Sequence, residues 1–227
     1  LKPQAADGFI IAVPTPFQEN HQPDLAYVDA ATKAIAPHVH PGNMVILEST
    51  SPVGTTERVG EMLADAGVDT SRLAIAHCPE RVLPGRVMIE LTENDRIVGG
   101  LTPTATKRVA EFYREFVTGE VLETTARTAE MAKLVENASR DVQIAFANEL
   151  SILADHFEIN VWELIELANH HPRVNILQPG TGVGGHCIAV DPWFIIASAG
   201  GDAKLMETAR HRNTEKTEWV IDRIIAR

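Results

Sequence analysis

The residues best suited to chemistry lie between Gly180 and Phe194, in the run Gly-Thr-Gly-Val-Gly-Gly-His-Cys-Ile-Ala-Val-Asp-Pro-Trp-Phe. Glycines at 180, 182, 184 and 185 let the backbone turn tightly and approach a ligand closely. Cys187 follows at once, with His186 beside it and Asp191 four residues on. A glycine-rich loop can surround a sulfur with backbone amides, and a nearby cation favours the thiolate, the form that acts as a nucleophile. Gly180, Gly182 and Gly185 also have the spacing of a dinucleotide fingerprint. That fingerprint needs a strand before it and a helix after it. Pro179 precedes the glycines, and Pro192 is expected to close off any helix within a few residues. The segment therefore reads as a loop that presents a thiol. His186 is adjacent to Cys187 in sequence, which is poor geometry for its base, so partners are sought on other segments.

Lys133, Asn137 and Arg140 supply a second constellation. Their spacing of i, i+4 and i+7 places them on one face of a helix. A solvated charged face is the plainer reading. Asn is a mediocre helix former, however, and its position between two cations points to a site. Asn169-His170-His171-Pro172-Arg173 brings adjacent histidines, but no second ligand pair has metal-type spacing, so no metal site is expected. Cys78, at a strand end, reads as a structural thiol.

The elements that must position these groups follow from hydrophobic patterning. Short apolar runs at 9–13, 44–47, 73–76, 96–99 and 121–124 read as strands, and helices are expected between several of them. Thr102 followed by Pro103 is a strong helix start. The alternation predicts an α/β unit, a partial Rossmann-like parallel sheet with helices on both faces. Ligands bind such sheets beyond the carboxyl ends of the strands. Three strands end in polar, turn-forming sequence there: Pro14-Thr15-Pro16, Glu48-Ser49-Thr50 and Pro79-Glu80-Arg81. From residue 128 the pattern changes to a long helical stretch, a shorter helix over 161–168 and a last helix from about Asp202, an all-helical second domain. An apolar stripe from Met131 to Phe157 exceeds the needs of one small domain and suggests a homodimer.

The chain has 227 residues and a net charge of −11, which argues against a nucleic-acid partner. No run of about 18 apolar residues exists, so no membrane span is expected. Two distant cysteines suggest a reducing, cytoplasmic setting. The first strand comes almost immediately after Leu1 and the last helix runs to the final residues, so the chain reads as part of something longer. Three functions fit these residues: a thiol hydrolase, a dehydrogenase using the thiol to hold an aldehyde, and a non-catalytic dimerisation piece.

Longer motifs separate these readings. Val13-Pro14-Thr15-Pro16-Phe17, the segment Glu48 to Thr55, the segment Cys78 to Gly85, Thr128 to Leu134 with Glu136-Asn137, and Gly184-Gly185-His186-Cys187 resemble the UDP-glucose/GDP-mannose dehydrogenase family of nucleotide-sugar 6-dehydrogenases. The resemblance spans nearly the whole chain. It implies NAD as cofactor and a UDP-sugar whose C6 alcohol is oxidised to a carboxylate in two steps. It also implies roles for particular residues. Cys187 matches the nucleophile, Lys133 the catalytic lysine, Asn137 and Asp191 its partners, and Glu80 a base for hydrolysis. Thr15 and Thr50 match cofactor-binding positions. Arg81, Val82, Arg140, His171, Arg173 and Gly184, with Lys133 and Asn137, match substrate-binding ones. The implied domains are 1–125, the later part of the NAD-binding domain; 126–213, the helical central domain; and 214–227, the start of a linker to a UDP-binding domain. The family's opening glycine turn and closing domain have no counterpart here, so this chain alone is expected to be inactive. Pro84 stands where glucose-oxidising relatives carry a second glutamate, which favours a UDP-sugar with a 2-acetamido group over UDP-glucose.

Overall fold

A computed structural model describes residues 3–19, 21–82 and 85–226, with His186 described by its backbone alone. Pro84, part of the substrate argument, lies outside the described residues. The chain divides into two compact units, residues 1–133 and 134–227.

The first unit is built on five strands, β1 (Gly8–Ile11), β2 (Met44–Leu47), β3 (Ala74–His77), β4 (Arg96–Gly100) and β5 (Val121–Thr125), in that spatial order. Pairing is parallel from β1 to β2 and from β2 to β3, in the register Ile11–Leu47–His77. β4 and β5 are also parallel to each other. Alternation along β2 decides which helix each face receives. Val45 and Leu47 join Phe9, Ile11 and Ile75 under α1 (Ala26–Ile35) and α2 (Thr55–Asp65), which contribute Val28, Ile35, Val59 and Leu63. Ile46 faces the other way, with Ala76 and Val98, under Ala105, Val109 and Tyr113 of α4 (Pro103–Arg114). The expected cap is present: the Thr102 side chain accepts the Ala105 amide.

The expectation of an α/β sheet with helices on both faces holds, with one refinement of strand direction. β3 and β4 are antiparallel, paired through Ala76–Gly100 and His77–Gly99. A parallel step needs a crossover element packed on the sheet. The helix between these strands, α3 (Val87–Glu93), is short and buries no residue, so the chain turns back beside β3 instead.

The second unit is helical. It takes most of α5 (Ala126–His156), with α6 (Val161–Asn169), α7 (His186–Ser198) and α8 (Lys204–Ile225). Here the loop expected around Cys187 is corrected. Cys187 lies in the first turn of α7, and Pro192 sits inside that helix. An internal proline loses one backbone hydrogen bond and costs about 3 kcal/mol in an isolated helix. Burial of Val190, Phe194 and Ile195 offsets that cost.

His77 gives the first unit a testable acid sensitivity. It is fully buried in the sheet, and burial holds its imidazole down at about 4, with the Leu47 carbonyl offsetting this only in part. An unfolded chain takes up this proton near the ordinary histidine value of 6.5, whereas the folded chain refuses it until about 4. His77 thus contributes fully above pH 6.5, and its contribution is lost as pH falls towards 4, by up to about 3 kcal/mol. Urea unfolding across this window should show His77→Gln with a shallower fall than the unsubstituted chain. An identical fall would assign the acid sensitivity elsewhere.

Candidate active site

The candidate residues fall into two groups, one on each unit. In the first, the loops leaving β1, β2 and β3 continue to bond one another beyond the strands: Glu48 donates its amide to Ile11, and Cys78 donates to Leu47. The Ser49 hydroxyl accepts the Val13 amide at 2.7 Å and donates to the Val13 carbonyl at 2.8 Å. Thr15 Oγ1 donates to the Thr50 carbonyl at 2.5 Å. Thr15 and Thr50 are therefore brought together at the carboxyl ends of parallel strands, where dinucleotides bind in open α/β sheets. Hydroxyl and backbone groups of this kind suit the neutral ribose and amide groups of NAD.

After Thr50 the chain enters α2 through Gly54. Glu130, buried in the first turns of α5, accepts from the Gly54 amide (2.7 Å), the Thr56 amide (2.7 Å) and the Thr56 hydroxyl (2.6 Å). A carboxylate at a helix N-terminus satisfies orphan N–H groups and meets the positive end of the dipole. Burial raises its carboxyl above the ordinary value, and these three hydrogen bonds oppose that shift. Lys133 follows on the same helix, one turn before Asn137. Glu130 lies within the Thr128 to Leu134 motif, and sequence reasoning missed its role. The signal it missed was a carboxylate on an otherwise apolar helical face.

Glu80 folds back on its own turn, accepting from the amides of Arg81 (2.5 Å) and Val82 (2.6 Å). Arg81 Nη1 reaches the Asp95 carbonyl at 3.4 Å, and Val82 is half-buried. Cys78 is buried beside the Tyr113 hydroxyl, and burial pushes its thiol up to about 12. That burial is consistent with a structural thiol. A cavity of about 460 Å³ at the start of α4, lined by Gly100, Thr102 and Arg127 among others, contains none of the candidate residues.

In the second group, Cys187 is exposed on the first turn of α7, and Asp191 lies one turn on. Asn137 Nδ2 donates to Asp191 Oδ2 at 2.6 Å, which fastens α7 to α5. The chain enters α7 through Gly185 at φ 86°, a left-handed conformation that suits glycine. The preceding loop is held by a buried polar network that the sequence did not disclose. Arg210 donates to Asp141, Asn213 donates to Asp141, Asn148 donates to Asn213, and Asn148 Oδ1 accepts the Gly180 amide. Two residues on, Gly182 lies so close to α8 that a Cβ there would come within 2.5 Å of Thr217 Oγ1. Arg140 is exposed on α5, and Gly184 is exposed in the loop. His171 Nδ1 accepts the Arg173 amide at 3.3 Å. The turn carrying both is closed by Asn169, which exchanges hydrogen bonds with the Ile176 backbone. Among the described residues no cluster of three or more His, Cys, Asp and Glu has the arrangement of a metal site.

A sulfur in the first turn of a helix, beside amides without intrahelical partners, can attack an electrophilic carbon while those amides meet the oxyanion that forms. The parallel strand ends suited to a dinucleotide define the first unit as a nucleotide-binding fold of Rossmann type. Residues 1–117 match the UDP-glucose/GDP-mannose dehydrogenase family, NAD binding domain, and residues 127–215 match the same family's central domain, so the chain belongs to that family. It is 58% identical to UDP-N-acetyl-D-mannosamine dehydrogenase of Yersinia pestis over 99% of this chain and 56% of that protein. It is 57% identical to NDP-N-acetyl-D-galactosaminuronic acid dehydrogenase of Ralstonia solanacearum over 98% of this chain and 55% of that protein. The structure of UDP-D-ManNAc dehydrogenase from Pyrococcus horikoshii superposes with a TM-score of 0.89 at 42% identity, over 98% of this chain and 54% of that one. The chain thus spans about half the length of the curated relatives it matches.

The two cysteines should differ sharply towards alkylation. Iodoacetamide on the native chain, followed by peptide mass spectrometry, is expected to label Cys187 and spare Cys78. Preferential labelling of Cys78 would contradict the described burial.

Proposed function

We propose that the protein to which this chain belongs oxidises the C6 alcohol of UDP-N-acetyl-D-mannosamine to the carboxylate, using NAD, with Cys187 as covalent nucleophile. The observation that carries this reading is the exposed Cys187 on the first turn of α7, with Asp191 one turn on tied to Asn137 at 2.6 Å.

When bound, NAD accepts a hydride in each of two oxidations, and Thr15 and Thr50 are the residues here that would hold it. Lys133 stabilises the alkoxide left as the C6 hydroxyl loses its proton. Once C6 is an aldehyde, the Cys187 thiolate adds to it, forming a C–S bond, and the oxygen is met by Asn137 and Lys133. Covalent capture keeps the aldehyde from escaping. After the second oxidation C6 is a thioester. Glu80 takes a proton from water as the water oxygen bonds to C6, the C–S bond breaks, and Cys187 is released as thiolate. Asp191 holds Asn137 in place throughout. In sum, one alcohol, one water and two oxidised cofactors yield one carboxylate, two reduced cofactors and three protons. Arg81, Val82, Arg140, His171, Arg173 and Gly184 bind the nucleotide sugar, with the guanidinium forks suited to its phosphates.

The same reading takes 1–125 as the later part of a dinucleotide domain, 126–213 as the central domain and 214–227 as the start of a linker. It places the protein in the cytoplasm as a homodimer. Exposed Phe146 and Leu153 on α5 and Phe157 just after it support the pairing. Alone, this chain is proposed to be inactive.

The test is NADH production by the full-length protein with a panel of nucleotide sugars. UDP-N-acetyl-D-mannosamine should give the highest kcat/KM, UDP-glucose should fall well behind, and Cys187→Ser should abolish turnover. Preference for a galacto-configured 2-acetamido sugar would move the substrate to that of the Ralstonia relative. Preference for UDP-glucose would overturn the assignment.

A further inference from the structure

Arg96 opens β4 and is 2% exposed, one of the largest fully buried side chains in the chain. A guanidinium so deeply buried needs compensation, because removing a charge from water costs several kcal/mol. Its own contacts supply little. Nη2 donates to the Leu91 carbonyl at 3.2 Å, and the group lies over the Tyr113 ring at 5.7 Å. Nε and Nη1 are buried and have no hydrogen-bond partner among the described residues. Among the described residues the anion it meets is the far oxygen of Glu80: Arg96 Nη1 stands 3.7 Å from Glu80 Oε2. The near oxygen, Oε1, is occupied by the Arg81 and Val82 amides. The carboxylate is thus fixed on one side by its own turn and faced on the other by a buried cation that is held rigidly by the sheet.

We propose that Arg96 is the positioning residue for Glu80, holding its carboxylate oriented to take the proton from the water that hydrolyses the Cys187 thioester. The inference rests on the function proposed above, in which Glu80 serves that step. Arg96 touches neither sugar nor thiol in this scheme and acts only through Glu80.

Rapid-mixing measurement of NADH with the full-length protein, UDP-N-acetyl-D-mannosamine and NAD tests this. Both oxidations precede hydrolysis. Slowing hydrolysis alone therefore leaves an initial burst approaching about two NADH per chain, followed by a steady state slower by about 10-fold or more. Arg96→Met should behave this way, as should Glu80→Gln. A purely structural role would lower burst and steady state by one common factor, and that result overturns the proposal. Arg96→Lys covers the case in which Arg96→Met does not fold. A point charge replaces the planar fork, so the steady state should drop several-fold in the unsubstituted background and no further in Glu80→Gln. Additive losses, or no loss in Arg96→Lys, overturn the proposal. The control separates the two levels of argument. Glu80→Gln without a burst removes the hydrolytic role of Glu80, and this inference falls with it. A burst in Glu80→Gln but not in Arg96→Met leaves that role standing and refutes the inference alone.

Discussion

The interaction on which the first unit most depends is the Glu130 carboxylate seated on the N-terminus of α2. Three donors converge on it from Gly54 and Thr56. Leaving those amides bare in a buried place would cost about 1–3 kcal/mol each. Meeting them with a charge at the positive end of a helix recovers that cost and offsets the burial of the carboxylate itself. The consequence is geometric. Glu130 belongs to the long helix that carries Lys133, and Gly54 closes the loop that carries Thr50. One buried side chain therefore sets the start of the helix bearing the lysine against the strand-end loop assigned to the cofactor. The pairings of Ser49 with Val13 and of Thr15 with Thr50 complete that edge.

The second unit reaches the same end by a different route. Its glycine segment has almost no side chains with which to fix itself, so the surrounding helices fix it. Asp141 and Asn148 on α5 and Arg210 and Asn213 on α8 form a buried polar network, and its last acceptor takes the Gly180 amide. Each unpaired buried polar atom in such a network costs free energy, and among the described residues Asp141 Oδ2 and Arg210 Nε have no partner, so its stability rests on the bonds that are made. Its effect is to deliver the chain to Gly185 in the conformation that starts α7. Asn137 and Asp191 then fasten that helix one turn beyond Cys187. Both units thus use buried charge and amide groups, rather than apolar contact, to position residues assigned to chemistry.

Much of this was legible beforehand, for identifiable reasons. β2 is a four-residue apolar run ended by Glu48-Ser49-Thr50, so its observed limits are those read from the sequence. The spacing of Lys133, Asn137 and Arg140 put them on one face because α5 is long and regular. What was not legible was set by tertiary context. α3 lacks an amphipathic face, and Val87, Met88 and Ile89 are exposed, so periodicity offers no signal for it. The antiparallel step from β3 to β4 follows from the absence of a packed crossover, which strand composition does not encode. α7 was hidden by Pro192, whose local penalty is overcome by burial on either side. Asp141, Asn148, Arg210 and Asn213 carry no spacing that marks them as partners. Only the packing of α5 against α8 shows them to be one interior network.

Covalent chemistry at Cys187, as proposed, can be observed directly by mass spectrometry. The full-length protein carrying Glu80→Gln, mixed with UDP-N-acetyl-D-mannosamine and NAD and quenched in acid, should retain the nucleotide sugar as an adduct. Peptide analysis should locate that adduct on Cys187, and Cys187→Ala should not form it. An unmodified Cys187 under turnover, or continued carboxylate formation by Cys187→Ala, would contradict the account.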